Sequence, residues 1–116
     1  MLKKENRLSS DFEFNVSRKY GRYYESPLTH TYFLIPKNYQ GPTKIGIVVS
    51  NKFSKKAVER NRVKRIYRKV VEENFEKLNK GDLWIVIHPK FGSLNKTYEE
   101  INTDFNKILQ KASFSN

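Results

Sequence analysis

The sequence predicts an α+β fold, a two-layer α/β sandwich in which a small sheet packs against a long basic helix. Three observations support this prediction. The 116-residue length suits a single domain, because chains divide into two domains only at about twice this length. Apolar runs of strand length, such as residues 45–49 and 83–87, stand between longer segments with helical periodicity. The order of these segments is α-β-β-(β)-α-β-α, where the bracketed element is one further short strand.

Two capping boxes place the first and last helices. The Ser-Asp-Phe-Glu sequence of residues 10–13 predicts a helix over residues 11–20, which Gly21 ends. The Thr-Tyr-Glu-Glu sequence of residues 97–100 repeats the pattern and opens a helix whose apolar residues recur at i, i+3 and i+4.

The segments between these helices comprise one long helix and three strands. Residues 57 to about 78 are predicted as a single helix that stops at the Asn-Lys-Gly sequence of residues 79–81. Strands are predicted at residues 28–35, 44–50 and 83–87. The 44–50 strand is almost continuously apolar, which indicates burial on both of its faces.

The positive charge is concentrated in one segment. The chain has 23 lysines and arginines against 12 aspartates and glutamates, a formal charge of +11. Between residues 52 and 69, Glu59 is the single acid, so a solvated helix held by i,i+4 ion pairs lacks the acids it needs. Basic clusters of this kind are typical of nucleic-acid-binding surfaces. The basic residues of the segment are Lys52, Lys55, Lys56, Arg60, Arg62, Lys64, Arg65, Arg68 and Lys69.

A helix over residues 57–78 separates this charge from an apolar stripe. At about 100° per residue, the stripe expected against the sheet contains Val63, Ile66, Tyr67, Val70 and Asn74. The opposite side is expected to carry Asn61, Lys64, Arg65, Arg68 and Lys69, with Arg60 and Arg62 at the borders.

Residues 56–68, which read Lys-Ala-Val-Glu-Arg-Asn-Arg-Val-Lys-Arg-Ile-Tyr-Arg, resemble the bacterial ribonuclease P protein subunit family. That family is marked by an Ala-Val pair, an Arg-Asn-Arg, and a following Lys-Arg with an arginine three residues later. The apolar run 45–50, the Arg-Leu pair at 7–8, Phe14 and the strand near 82–87 are similar to the family as well. The resemblance therefore covers nearly the whole chain.

The sequence departs from the family pattern at three positions. Asn51 stands where a lysine is usual. Arg18 stands where a second aromatic or apolar residue is frequent, one turn after Phe14. Lys69 stands where a glutamate is common. None of these departures alters the Arg-Asn-Arg helix.

The resemblance implies a single RNA-binding domain over residues 1–116. In that family an RNA subunit with bound Mg²⁺ hydrolyses the phosphodiester that joins the 5′ leader to mature tRNA. The implied partners are the catalytic RNA and precursor tRNA, with no membrane and no small-molecule substrate. The implied location is the cytoplasm, which suits a chain without cysteine and without an apolar N-terminal signal. The chain itself is expected to carry no catalytic residue and no metal ligand.

By the same resemblance, two sets of residues form the site. The basic helix lies on the RNA subunit, and a cleft between the sheet and the first helix holds the single-stranded leader. The residues expected to bind the RNA subunit are Lys52, Lys56, Arg60, Asn61, Arg62, Lys64, Arg65 and Arg68. The residues expected to bind the leader are Phe14, Arg18 and Tyr32, with Phe33 as the alternative to Tyr32. Aromatic rings beside basic side chains suit this role, because they stack on unpaired bases without demanding a sequence.

Several assignments stay open at the level of sequence. Phe14 suits either the leader cleft or the core, whereas Phe12 is predicted to be core. His30 and His88 allow an acid–base pair as in protein ribonucleases, although a lone histidine on a strand is usually structural or exposed. The alternative function is a stand-alone RNA-binding protein, such as a ribosomal protein or an RNA chaperone. DNA binding by the long helix is a weaker alternative, since no helix-turn-helix partner accompanies it.

Overall fold

The strands form one mixed sheet with the spatial order β1-β2-β4-β3. In the computed structural model, which describes residues 2–113, β3 and β4 are parallel and the other neighbours are antiparallel. Parallel neighbours need a crossover connection, and the long basic helix supplies it between β3 and β4. The strands are β1 (Arg22–Glu25), β2 (Thr29–Leu34), β3 (Lys44–Ile47) and β4 (Trp84–Pro89).

Both predicted capping boxes are present and begin their helices where the sequence indicates. At each box the N-cap side chain accepts the backbone N–H of the glutamate three residues later, and that glutamate side chain accepts the N-cap N–H. None of the described helices is long and apolar enough to cross a membrane. The helices are α1 (Asp11–Tyr20), α2 (Ala57–Glu73), α3 (Phe75–Leu78) and α4 (Tyr98–Lys111).

The two faces of the sheet bury different clusters. Alternate residues of β2 and β4 pack beneath α2 and α4, where Tyr67 and Phe105 are the largest fully buried side chains. The Tyr67 hydroxyl lies 2.6 Å from the Thr29 hydroxyl and donates to the Leu28 carbonyl oxygen at 3.1 Å. The opposite face carries α1 over a smaller cluster of Leu8, Trp84 and Val86. The predicted α+β class, with a small sheet packed against the long basic helix, is confirmed.

Three details differ from the sequence prediction. The additional short strand is β1, which precedes the first predicted strand instead of following the second. The 57–78 helix is interrupted at Asn74, whose side-chain amide donates to the Val70 carbonyl oxygen and to Asn102 Oδ1, both at 2.8 Å. The 44–50 strand ends at Ile47, and that residue is only half-buried because β3 is an edge strand.

Candidate nucleic-acid interface

The first turn of α2 is anchored by a serine and not by its own N-cap side chain. Ser54 Oγ accepts the backbone N–H of Lys56 at 3.1 Å and donates to Glu59 Oε1 at 2.6 Å. The Arg60 guanidinium donates to the Ser54 carbonyl oxygen at 2.8 Å. The single acid of the basic segment is therefore engaged by a hydroxyl and does not neutralise a neighbouring arginine.

The basic face of α2 is largely exposed and has no ion pair with the described carboxylates. The ion pairs found within residues 2–113 are made by Lys44, Lys90 and Lys96. None of them involves a lysine or arginine between residues 52 and 69. The Arg62 guanidinium donates to Asn95 Oδ1, a neutral acceptor, at 3.5 Å. Cations packed this closely repel one another, and binding of a polyanion offsets that repulsion. The exposed members of the predicted set are Lys52, Lys56, Asn61, Arg62, Arg65 and Arg68.

The apolar stripe of α2 packs largely as predicted. Val63, Tyr67, Val70 and Asn74 are buried against the sheet and α4, whereas Ile66 is only half-buried. Arg60 is half-buried, in line with its predicted border position. Lys64 differs, because it is half-buried instead of standing on the fully exposed side.

Lys64 is partly covered because it lines a recess between α2, the β3 edge and α1. This recess, about 340 Å³ in volume, is also lined by Phe14 and Arg68. The Phe14 ring lies directly on the backbone of Gly46, where a Cβ atom would come within 2.4 Å of the ring. The structure thus brings one predicted leader-binding residue together with two residues predicted to bind the RNA subunit.

A buried carboxylate holds α1 in position beside this recess. Glu13 accepts hydrogen bonds from the backbone N–H groups of Ser9 and Ser10 and from the Lys44 ammonium, the last at 2.9 Å. Burial by itself raises the pKa of Glu13, but these donors outweigh it together and lower the pKa to about 2. Glu13 therefore stays ionised and ties α1 to β3 across the sheet.

Four rings form the floor of the cleft beside α1. Tyr32 lies on this face, half-buried, with its ring centroid 5.3 Å from that of Tyr23 and 5.9 Å from that of His88. The His30 ring stacks on the His88 ring, with 4.7 Å between the ring centroids and an angle of 17° between the ring planes. The two rings meet because the residues are directly opposed in the register of β2 and β4. Phe33 points to the opposite face and is buried in the main core, so Tyr32 is the strand aromatic that faces the cleft.

Both histidines of the floor are held in the neutral state. Burial and, to a smaller extent, the charges of His30 and Arg18 together lower the pKa of His88 to about 4. Burial also lowers the pKa of His30, assisted by Lys90 and opposed by Glu25. His88 Nε2 is buried without a hydrogen-bond partner among the described residues. The floor is thus aromatic and uncharged, while Arg18 stands beside it with its guanidinium 6.0 Å from the centroid of the Phe14 ring.

Sequence reasoning missed part of this floor and misplaced one phenylalanine. Tyr23 and His30 were not assigned to the cleft, although alternation along β2 places His30 on the same face as Tyr32. The prediction that Phe12 is core is wrong, because its side chain is 69% exposed. The buried residues of α1 are Glu13 and Ser17 instead.

These features define a class of protein: a small basic α+β domain with a polyanion-binding surface on one helix and an aromatic cleft beside it. A family model described as Ribonuclease P matches residues 2–113. The chain belongs to the ribonuclease P protein family.

Individual relatives agree with this assignment. The ribonuclease P protein component of Finegoldia magna is 36% identical over 112 residues, which cover 97% of this chain and 95% of the relative. The RNase P protein structure from Thermotoga maritima superimposes with a TM-score of 0.76 and 26% identity, over 90% of this chain and 96% of that one. The Staphylococcus aureus RNase P protein has the same fold, with a TM-score of 0.81, 22% identity, and coverage of 97% and 100%.

Proposed function

We propose that this chain, as the protein subunit of ribonuclease P, assists tRNA 5′-end maturation by binding RNA on two adjacent surfaces. The basic face of α2 binds the catalytic RNA through its phosphates. The cleft beside α1 holds the single-stranded 5′ leader of precursor tRNA by stacking on Phe14 and Tyr32, with Arg18 on a phosphate. The assembly acts in the cytoplasm, on transcripts that still carry their leaders.

The recess between α1 and α2 is the observation that carries this proposal. Phe14, Lys64 and Arg68 line the same cavity, so the base-stacking surface and the phosphate-binding surface meet there. A leader that leaves the catalytic RNA along α2 passes Lys64 and Arg68 before it reaches the Phe14 ring.

The chain contributes binding in this proposal and leaves bond cleavage to the RNA. The His30 and His88 rings stack at 4.7 Å, which leaves no space between them for a phosphodiester. Both pKa values are lowered, so neither ring is the protonated acid that an acid–base pair requires at pH 7.

We propose that the Mg²⁺ ions of the reaction are held mainly by the RNA subunit. Within residues 2–113, no three histidine, aspartate or glutamate side chains are grouped closely enough to hold a metal ion. The exposed amide of Asn61 offers an oxygen to the hydration shell of an RNA-bound ion.

Reconstitution tests the proposal. Purified protein is added to ribonuclease P RNA and precursor tRNA at a Mg²⁺ concentration too low for the RNA to act alone. We expect leader cleavage to appear with the protein, and no cleavage by the protein without RNA. An unchanged rate with a folded protein would indicate a stand-alone RNA-binding protein, and cleavage by nuclease-treated protein alone would contradict the accessory role.

A further inference from the structure

A second groove lies on the other flank of α1, on the same face of the sheet as the cleft. Its volume is about 860 Å³, and we name it the flank groove. It is separated from the cleft only by α1, whose buried residues are Glu13 and Ser17. Its apolar lining is formed by Phe12, Val16, Tyr20, Leu34, Ile35 and Trp84.

The flank groove concentrates exposed apolar side chains. Phe12 is 69% exposed, Tyr20 65% and Ile35 77%, and these three are half of the large apolar residues exposed in the described part of the chain. Exposed apolar residues scattered singly are normal, but a contiguous set lining one groove marks a binding surface.

The charge around the flank groove selects an anionic occupant. Lys19 and Lys37 stand on its rim, and none of the described residues that line it is acidic. The Lys19 ammonium lies 5.3 Å from the centroid of the Tyr20 ring. Rings interleaved with lysines bind single-stranded nucleic acid, whose bases stack while its phosphates pair with the cations. A second copy of a chain with a net charge of +11 is disfavoured by repulsion.

The outer surface of α1 connects the flank groove with the cleft. Asn15 lines the flank groove, and its Oδ1 accepts a hydrogen bond of 3.0 Å from the Arg18 guanidinium, which stands beside the cleft. A single-stranded RNA that passes over α1 therefore meets the Arg18 guanidinium where it crosses the helix. The flank groove lies farther from α2 than the cleft does, since the cleft side of α1 shares its recess with Lys64 and Arg68.

We propose that the flank groove binds leader nucleotides upstream of those held in the cleft, with the strand crossing α1 at Arg18. This inference rests on the proposed function, because it extends the same RNA strand. It implies that affinity for precursor tRNA depends on leader length through side chains that a short leader never touches.

Two precursor tRNAs that differ in leader length test the inference. Since single-stranded sites of this type cover about 4–16 nucleotides, the short leader has about 4 nucleotides and the long one about 16. With the reconstituted holoenzyme, Phe12→Ala combined with Tyr20→Ala is expected to weaken binding of the long-leader precursor by at least about 5-fold and to leave the short-leader precursor unchanged. Phe12→Tyr combined with Tyr20→Phe keeps both rings and is expected to bind both precursors like the unmodified protein.

The possible outcomes separate this inference from the proposed function. The first outcome is that Phe14→Ala weakens binding of both precursors, but the double alanine variant binds the long-leader precursor as tightly as the unmodified protein does. This result would overturn the flank-groove inference alone. If Phe14→Ala has no effect on either precursor, the leader cleft itself is wrong. A dimer in sedimentation velocity that the double alanine variant abolishes would assign the flank groove to self-association and also overturn the inference.

Discussion

The basic face of α2 and the cleft beside α1 both suit RNA, but they use different forces. The α2 face presents to solvent lysines and arginines that pair with no carboxylate of residues 2–113, so its affinity depends on phosphate charge and on salt. The cleft floor presents uncharged rings, including two histidines with lowered pKa values. The difference shows how one small domain separates phosphate binding from base stacking.

The two regions also differ in how they are supported. The buried stripe of α2 belongs to the larger core, shared with α4 and the sheet. α1 rests on the smaller cluster around Trp84 and on polar links, namely the capping box and the bond between Glu13 and Lys44. We therefore expect substitutions in the α2 core to unfold the protein, and substitutions under α1 to displace the cleft more than they unfold the domain.

The largest expected effect is on the buried side of α2. Tyr67→Ala removes a fully buried ring and its bond to Thr29, and is expected to lower the free energy of unfolding by about 3–5 kcal/mol. Ile66→Ala is expected to cost about 1–2 kcal/mol, because that side chain is half-buried. The adjacent Arg68→Ala should change stability by less than about 0.5 kcal/mol. Urea denaturation checks this order, and similar losses for Tyr67→Ala and Arg68→Ala would contradict the two-sided description of α2.

A smaller effect is expected under α1. In Gly46→Ala the new methyl group meets the Phe14 ring, so the ring must move or the strand must shift, at a cost of about 1–3 kcal/mol. Binding of precursor tRNA should weaken together with stability. Gly92→Ala is a matched control, because its Cβ would meet its nearest neighbour at 3.6 Å, an ordinary contact. If Gly46→Ala binds precursor tRNA as tightly as Gly92→Ala does, the packing of the Phe14 ring on β3 does not contribute to leader binding in the cleft.

The smallest expected effect is the pH dependence of stability. The pKa of His88 is about 4 when folded and about 6.5 when unfolded, so stability is lost as the pH falls through that window. After allowance for solvent screening the loss is about 1–2 kcal/mol. Glu13, with a folded pKa of about 2 against an unfolded value near 4.5, loses its contribution as the pH falls from about 4.5 towards 2, so the two windows overlap only between about pH 4.5 and 4.

Denaturation at several pH values separates these two groups. His88→Gln should flatten the change between pH 6.5 and 4.5, and Glu13→Gln should flatten the change below pH 4.5. A His88→Gln variant with an unaltered profile in the upper window would contradict the burial of a neutral imidazole in the cleft floor.

Local signals explain what the sequence predicts well. The capping boxes at 10–13 and 97–100 and the stripe of α2 depend on residues within a few positions of one another, and each is present in the fold. Features that depend on distant partners were missed. The break at Asn74 needs Asn102 from α4, and the stacking of His30 on His88 needs the register of β2 and β4. Neither partner can be identified from spacing alone.

The dependence of RNA affinity on salt tests the central comparison most directly. Binding of precursor tRNA to the reconstituted holoenzyme reports on the cleft, and binding of the RNA subunit to the protein reports on α2. Arg65→Ala with Arg68→Ala is expected to lower the slope of log affinity against log salt for the RNA subunit by about 0.7–0.9 per lost phosphate contact. Phe14→Ala with Tyr32→Ala is expected to weaken binding of precursor tRNA by about 1–3 kcal/mol per stacked base at every salt concentration. The slope of log affinity against log salt should not change, and binding of mature tRNA should be unaffected. Unchanged slopes for the arginine pair, or a changed slope for the aromatic pair, would contradict the separation of phosphate binding from base stacking.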